Sequence, residues 1–163
     1  MKNYVFLFFL VFSISLQGAR SESCAFCTTD VLERQTFYEG ELVLALYTHK
    51  PVMPGHCLII PKRHVERFEN LTDEEMLEIG QVIKKVDAVV RKEFHTISYL
   101  LLQKNGEEVG QTVPHVHFHY IPRKQGDDSI VKFFFKSWIT NMKKPIDGAE
   151  LKENVEIMKN SLN

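Results

Sequence analysis

Hydrophobic positions along the chain follow two periods. Between Leu71 and Phe94 they recur at steps of three and four: Met76, Ile79, Ile83, Val86 and Val90 form one stripe, while Glu78, Lys84, Lys85 and Lys92 fall mostly elsewhere. That is the pattern of a helix with one buried face. Thr72 stands where the helix would begin and Glu75 follows three residues on, which predicts a capping box. A second helical stripe, Leu151, Val155, Met158 and Leu162, marks residues 150–162 as a C-terminal amphipathic helix.

Shorter apolar runs read as strands. Glu41–Tyr47 (ELVLALY) is followed by THKPVMPG, where Pro51, Pro54 and Gly55 predict a loop. His56–Pro61 (HCLIIP) is a second run, Thr96–Gln103 (TISYLLLQ) a third and Val113–Pro122 (VPHVHFHYIP) a fourth. KNGEEVGQ and RKQGDDS are the polar breaks around the fourth run, and the aromatic stretch 130–139 (IVKFFFKSWI) reads as either a strand or a helix packing on the sheet. Together these elements predict an α+β domain: an antiparallel sheet of about five strands, one long helix and a C-terminal helix. The expected boundaries are a domain over 22–125 and a C-terminal extension over 126–163 that packs on it and ends in the helix.

The first 21 residues differ. MKNYVFLFFLVFSISLQGAR carries one lysine and then an apolar run from Tyr4 to Leu16, shorter than the roughly 20 residues a membrane span needs. It reads as a secretory signal with a cleavage region near Ala19-Arg20-Ser21. The expected location is therefore periplasmic or secreted if the leader is used, and cytoplasmic otherwise. The 163-residue chain has 20 basic and 21 acidic side chains, a formal net charge of -1. That balance gives no electrostatic footprint for nucleic acid or an anionic membrane.

Candidate chemistry concentrates in histidines and cysteines. Alternate residues of a strand share a face, so His115, His117 and His119 would line one side, with Val116, Phe118 and Tyr120 on the other. Each desolvated imidazole needs a hydrogen-bond partner or a metal. Two readings follow: three ligands of one catalytic ion, or one nucleophile whose neighbours do other work. GQTV, just before the triad, is a Gly-containing loop of the sort that can turn backbone N–H groups toward an anion. His56 and His64 flank another strand, and Cys24 and Cys27 form C-x-x-C. Two cysteines with two separated histidines are the ligand set of a four-coordinate structural zinc. A disulfide or two free thiols would suit the same pair, more so in an exported protein.

The run HVHFHYI, preceded by GQTV and by PGHCLIIPKRH upstream, resembles the signature of the histidine triad (HIT) superfamily, and the resemblance extends over about residues 24–124. It implies an enzyme in which His117 attacks the α-phosphorus of a nucleotide, forming a nucleotidyl-histidine that water then hydrolyses. It implies that His119 and His56 bond around the phosphate and nucleophile, and that Gln111 and Thr112 contact phosphate and leaving group. The zinc-carrying members imply Cys24, Cys27, His64 and His115 as ligands of a structural zinc. Members pair as homodimers with their sheets joined edge to edge, and the same is expected here. Two positions depart from the pattern. Thr48 stands where Asp or Asn binds the ribose, and Lys104, with Asn105 beside it, where Asn or Gln contacts phosphate. THKPVMPGH looks like the dinucleoside-polyphosphate-cleaving branch, and CAFC with PKRH looks like the zinc-bearing bacterial one. Substrates implied are therefore nucleoside phosphoramidates or dinucleoside polyphosphates. A nucleotide-binding module with weak catalysis is a third reading, motivated by the two departures.

Overall fold

The computed structural model describes residues 24–127 and 129–162, so the leader read at 1–21 lies outside the described residues. A short 3-10 turn, Ala25–Cys27, leads into α1 (Thr29–Gln35), β1 (Thr36–Glu39), β2 (Val43–Tyr47) and β3 (Cys57–Pro61). The long helix α2 (Asp73–Phe94) follows, then β4 (Ser98–Gln103), β5 (Phe118–Arg123), α3 (Ile130–Met142) and α4 (Gly148–Leu162). The five strands form one antiparallel sheet in the order β1-β2-β3-β5-β4. The fold is α+β.

The α2 helix starts as the sequence predicts. The Thr72 hydroxyl accepts the Glu75 N–H at 3.2 Å and the Glu75 carboxylate accepts the Thr72 N–H at 2.9 Å, closing the capping box. Ile79, Ile83, Val86 and Val90 of the predicted stripe are buried, joined by Val82 and Val89, while Met76 is 37% exposed. This face packs on Val43, Ala45, Tyr47, Cys57 and Ile59 of the sheet, and Val116 and Tyr120 belong to the same core. The Tyr120 hydroxyl donates to Asp87 of α2 at 2.7 Å, so the sheet and helix are also joined by a polar bond. Leu151, Val155 and Met158 of α4 complete that core.

Both central strands are buried on both faces. On the face away from α2, Leu44, Leu46, Leu58 and Ile60 are covered by Phe26 and Leu32 of the N-terminal segment. That is why β2 and β3 read as continuous apolar runs rather than alternating ones. The turn before β3 depends on Gly55. Its φ of +85° favours glycine, and a Cβ there would lie 2.9 Å from Val90 Cγ1.

Two elements differ from expectation, and the strand-or-helix alternative at 130–139 resolves to one of its two readings. The fifth strand is β1, only four residues long, with a register shift between Thr36 and Tyr38. Residues 130–139 belong to a helix, α3. The fourth expected strand begins at Phe118 rather than Val113. Pro114 has no N–H for a ladder, and the His115 N–H turns back to the Val113 carbonyl at 2.8 Å. Of the three histidines only His119 therefore lies in a strand. Pro122, the last residue of the expected run, stands opposite Tyr99, beyond the last β3 partner of β5, Tyr120, and the strand continues to Arg123.

Candidate active site and metal centre

The loop and strand around 115–119 send their three imidazoles to different partners. His117 is buried, and its Nδ1–H donates to the His115 carbonyl oxygen at 2.7 Å. A ring that donates through Nδ1 keeps the Nε2 lone pair free. Burial lowers the His117 pKa below 6.5, the bond to the His115 carbonyl opposes that shift, and the charge of Lys104 adds to it. The ring is then neutral at pH 7, the state a nucleophile requires.

His119 pairs with His56, Nδ1 to Nε2, at 3.0 Å. The direction of that bond follows from the backbone. The Val52 N–H donates to His56 Nδ1 at 3.2 Å, so the proton of His56 sits on Nε2 and is given to His119 Nδ1. His119 is thereby fixed as the Nε2–H tautomer, a donor. Burial first, then the charges of His56, His117 and Lys104, push its pKa down to about 2; burial alone takes His56 to about 3. The His117 and His119 rings stand 5.0 Å apart, edge to face. One imidazole thus presents a lone pair and its neighbour a proton.

His115 turns away from both, toward the N-terminal cysteines. Its Nδ1 lies 3.5 Å from Cys24 Sγ and 3.7 Å from Cys27 Sγ, and His64 Nδ1 lies 3.4 Å from Cys27 Sγ. The four ligand atoms all fall within 4.8 Å of one another. A zinc tetrahedron with Zn–S of about 2.3 Å and Zn–N of about 2.0–2.1 Å has S···N edges of about 3.5 Å, so the donor set fits the ion. The far nitrogens are held as metal-bound histidines hold them: His115 Nε2–H donates to the Pro61 carbonyl at 2.9 Å, and His64 Nε2 lies 3.5 Å from Glu66 Oε1. Cys24 and Cys27 are thiols rather than a disulfide. Burial and the neighbouring Cys27 push the Cys24 thiol up to about 11, so a bound cation would be needed to hold Cys24 as a thiolate.

Residues 29–126 match the HIT domain. The chain belongs to the HIT domain family. It is 39% identical over 112 residues to the uncharacterized HIT-like protein MJ0866 of Methanocaldococcus jannaschii, covering 68% of this chain and 86% of that one. It is 42% identical over 95 residues to the asymmetrical bis(5'-nucleosyl)-tetraphosphatase of Schizosaccharomyces pombe, covering 58% of this chain and 52% of that one. The chain therefore spans about half the length of that yeast relative. A Zn-bound histidine triad family protein from Mycobacterium smegmatis superposes with a TM-score of 0.66 over 86% of this chain and 93% of that one; at 24% identity the likeness is one of fold.

The other residues expected from the HIT resemblance surround the histidines in varied ways. Thr48 is buried at the end of β2, where its hydroxyl accepts the Lys50 N–H at 3.4 Å and its own N–H donates to the His56 carbonyl. Gln111 is buried as a strut: its amide donates to the Glu66 and Val113 carbonyls, and its oxygen accepts the Gly106 N–H. Lys104, just after β4, donates to the Gly110 carbonyl at 3.2 Å, and its charge reaches His117 and His119. Asn105 faces away, accepting from Phe68 N–H and donating to Glu69. Thr112 is exposed on the loop.

Phe26, between the two cysteines, is a residue that sequence reasoning missed. Its ring meets His117 edge-on at 5.3 Å and His115 at 5.9 Å. The one available signal was its place inside C-x-x-C. A cleft of about 500 Å³ opens beside it, lined by Phe26, Leu32, Phe37, Leu44 and Lys62 among others, with none of the histidines in its wall. The imidazoles therefore lie outside that cleft, although Cys27 reaches its wall.

Proposed function

We propose that this protein hydrolyses or transfers nucleotides at the α-phosphate through a nucleotidyl-His117 intermediate. The carrying observation is the tautomer pair: His117 Nδ1 is committed to the His115 carbonyl and His119 Nδ1 to His56. His117 Nε2 donates its lone pair to phosphorus, and the P–O or P–N bond to the leaving group breaks. The neutral His119 gives its Nε2–H as a hydrogen bond to the departing atom, which takes any proton it needs from solvent; water then attacks phosphorus, the P–N bond breaks with its electron pair returning to His117 Nε2, and the water's proton passes to solvent. Phosphorylation leaves the His117 ring positively charged, and the His115 carbonyl at 2.7 Å stabilises that charge. Gln111 braces the loop that carries Thr112 toward the phosphates, Lys104 offers them a charge, and Thr48 takes the ribose.

The names of the yeast relative and of bis(5'-adenosyl)-triphosphatase of Dictyostelium discoideum, 39% identical over 97 residues, support dinucleoside polyphosphates as substrates. A single catalytic ion held by all three histidines suits the geometry less well, because among the described residues His115 groups with the thiols and His119 with His56. Zinc at Cys24, Cys27, His64 and His115 fits a structural role: it ties the segment carrying Phe26 to the triad loop.

A homodimer completes the proposal. Strand β4 ends the sheet with an unpaired edge and exposes Tyr99 and Leu101, each 41%, whereas α4 packs beside β1 at the other end. If the leader acts, this dimer works outside the cytosol; among the described residues no helix is long and apolar enough to cross a membrane. Quenching a reaction with diadenosine triphosphate and mapping the protein by mass spectrometry tests the reading. An adenylyl group on His117 is expected, and full turnover without any such adduct, under conditions that trap phosphohistidine, overturns it.

A further inference from the structure

We propose that α3 docks flat on an anionic lipid surface, its exposed apolar stripe entering the headgroup layer and its lysines meeting the lipid phosphates. The inference goes beyond the hydrolase reading and stands without it.

Helix α3 buries little of what it carries. Val131, Phe134, Phe135, Trp138 and Met142 are between 51% and 74% exposed. At about 100° per residue these five fall within an arc of about 100°. On the opposite side Phe133 and Thr140 are buried, and the Arg123 guanidinium stands 4.9 Å from the Phe133 ring centroid. The helix is thus held by one face and offers the other to solvent. The five exposed side chains present on the order of 600 Å², the upper end of what a monomeric protein leaves in one patch.

Charge says what covers the stripe. From Ser129 to Ile146 the chain has four lysines, Lys132, Lys136, Lys143 and Lys144, and no Asp or Glu. The whole chain carries a net charge of -1, so the positive field is local to this segment. All four lysines are exposed, and Asp127, just before the helix, is paired with Arg123 at 3.6 Å. Lys132 and Lys136 fall on the flank of the stripe beyond Phe135, within about 100° of it, and Lys143 and Lys144 close its C-terminal end. A second copy of this chain would have to bring an apolar face to the stripe and an acidic one to the lysines. An anionic bilayer supplies both in one plane.

Length sets the orientation. Thirteen residues span about 20 Å, less than the roughly 30 Å of a hydrocarbon core, so the helix lies on the surface rather than crossing it. Trp138, in the middle of the stripe, suits an interface where the indole ring is buried and its N–H stays wet. Lysine stems cover apolar surface while their ammonium groups reach the phosphates. Arg123, the anchor, ends β5 about 17 Å from Phe118, so the contact is separate from the histidine site.

The chain's single tryptophan, Trp138, reports on the contact in the wild-type protein. The full chain should sediment with phosphatidylglycerol vesicles and its emission should shift to the blue, while phosphatidylcholine vesicles bind it far more weakly. Lys136→Gln/Lys143→Gln should weaken the partitioning about 25-fold, at about fivefold for each lysine. Phe134→Ser/Phe135→Ser should abolish it and leave circular dichroism and turnover of diadenosine triphosphate as in wild type. No binding to phosphatidylglycerol vesicles overturns the proposal, as does equal binding to both lipids. Binding that survives Phe134→Ser/Phe135→Ser belongs to another segment and overturns it too. Emission that ignores vesicles but reddens when lipid-free protein is diluted also overturns it, and assigns the stripe to a second copy. A chain that binds vesicles but neither turns over nucleotide nor forms the His117 adduct removes the hydrolase reading and leaves the docking standing.

Discussion

His117 and His115 are joined by a bond that runs from a side chain to a backbone: the Nδ1–H of the first donates to the carbonyl oxygen of the second over 2.7 Å. The same residue, His115, offers its side chain to Cys24 and Cys27. One residue thus touches both groups, its main chain fixing the His117 tautomer and its ring standing among the thiols. Replacing His117 by alanine should lower kcat by about 10⁴-fold or more, the scale of removing a covalent nucleophile. The fold should survive, since the ring packs at the site face rather than in the α2 core. Circular dichroism and steady-state turnover check this, and turnover within about 10-fold of wild type would refute the assignment.

Acid should weaken the folded state before it reaches the usual carboxylate range. Burial holds His56 and His119 far below 6.5, to about 3 and about 2. Between pH 6.5 and those values the unfolded chain binds protons that the folded chain refuses. Stability is therefore full above pH 6.5 and falls as pH drops, by on the order of 2 kcal/mol for each ring between pH 6.5 and 4.5. Urea midpoints at pH 7.5 and 4.5 should differ accordingly. The His56→Gln/His119→Gln double variant should shrink the difference. For the same reason the acid limb of kcat/KM should have its midpoint below 6.5, because His117 is also shifted down.

Stripping metal should cost stability first and rate second. With one ion per chain at Cys24, Cys27, His64 and His115, chelation would leave the N-terminal segment held by side-chain packing on the sheet, through Phe26 and Leu32, and on α4. A loss of about 3 kcal/mol, or roughly 10 °C in Tm, is expected. Cys24→Ser should reproduce it and lower the zinc-to-chain ratio measured by elemental analysis. A chain that purifies without metal and is indifferent to chelator would remove the zinc assignment.

What the letters alone reveal depends on how many residues repeat a signal. Helix α2 was legible because its stripe persists through 22 residues and its cap is written in two letters, Thr72 and Glu75. Strand β1 was not, because four residues interrupted by a register shift show no alternation. The HVHFHY alternation misled at its start, where Pro114 and a tight turn displace His115 and His117 from the ladder. Which residues gather at the two centres could be anticipated from their spacing and the HIT resemblance. Which nitrogen each ring uses could not. That choice is made by the Pro61 and His115 carbonyls and the Val52 N–H, groups that every sequence contains and no letter records.

Glu75 should matter beyond the cap. Its buried carboxylate accepts from the Thr72 N–H and from two nitrogens of Arg63, at 3.0 and 2.8 Å, just before His64. Thr72→Ala should cost about 1 kcal/mol. Glu75→Ala should cost about 2 kcal/mol, because it removes the carboxylate that pairs with Arg63 and closes the cap, leaving the guanidinium only the Asn70 carbonyl. Chemical denaturation distinguishes the two, and equal costs would mean that the Arg63 pair contributes nothing.

Lys104 is one of the two positions, with Thr48, at which the sequence departs from the expected pattern, and its charge reaches both His117 and His119. An ammonium there favours a leaving group that is itself an anion. Cleavage of a dinucleoside polyphosphate expels a nucleotide carrying several charges, whereas cleavage of a phosphoramidate expels an amine. Lys104→Gln should therefore reduce kcat/KM for diadenosine triphosphate about 10-fold, or about 1.4 kcal/mol, and leave an adenosine phosphoramidate nearly unchanged. An equal loss on both substrates would place the charge on the scissile phosphate, which the two share. No loss on either would reduce Lys104 to its bond with the Gly110 carbonyl, a brace for the loop alone.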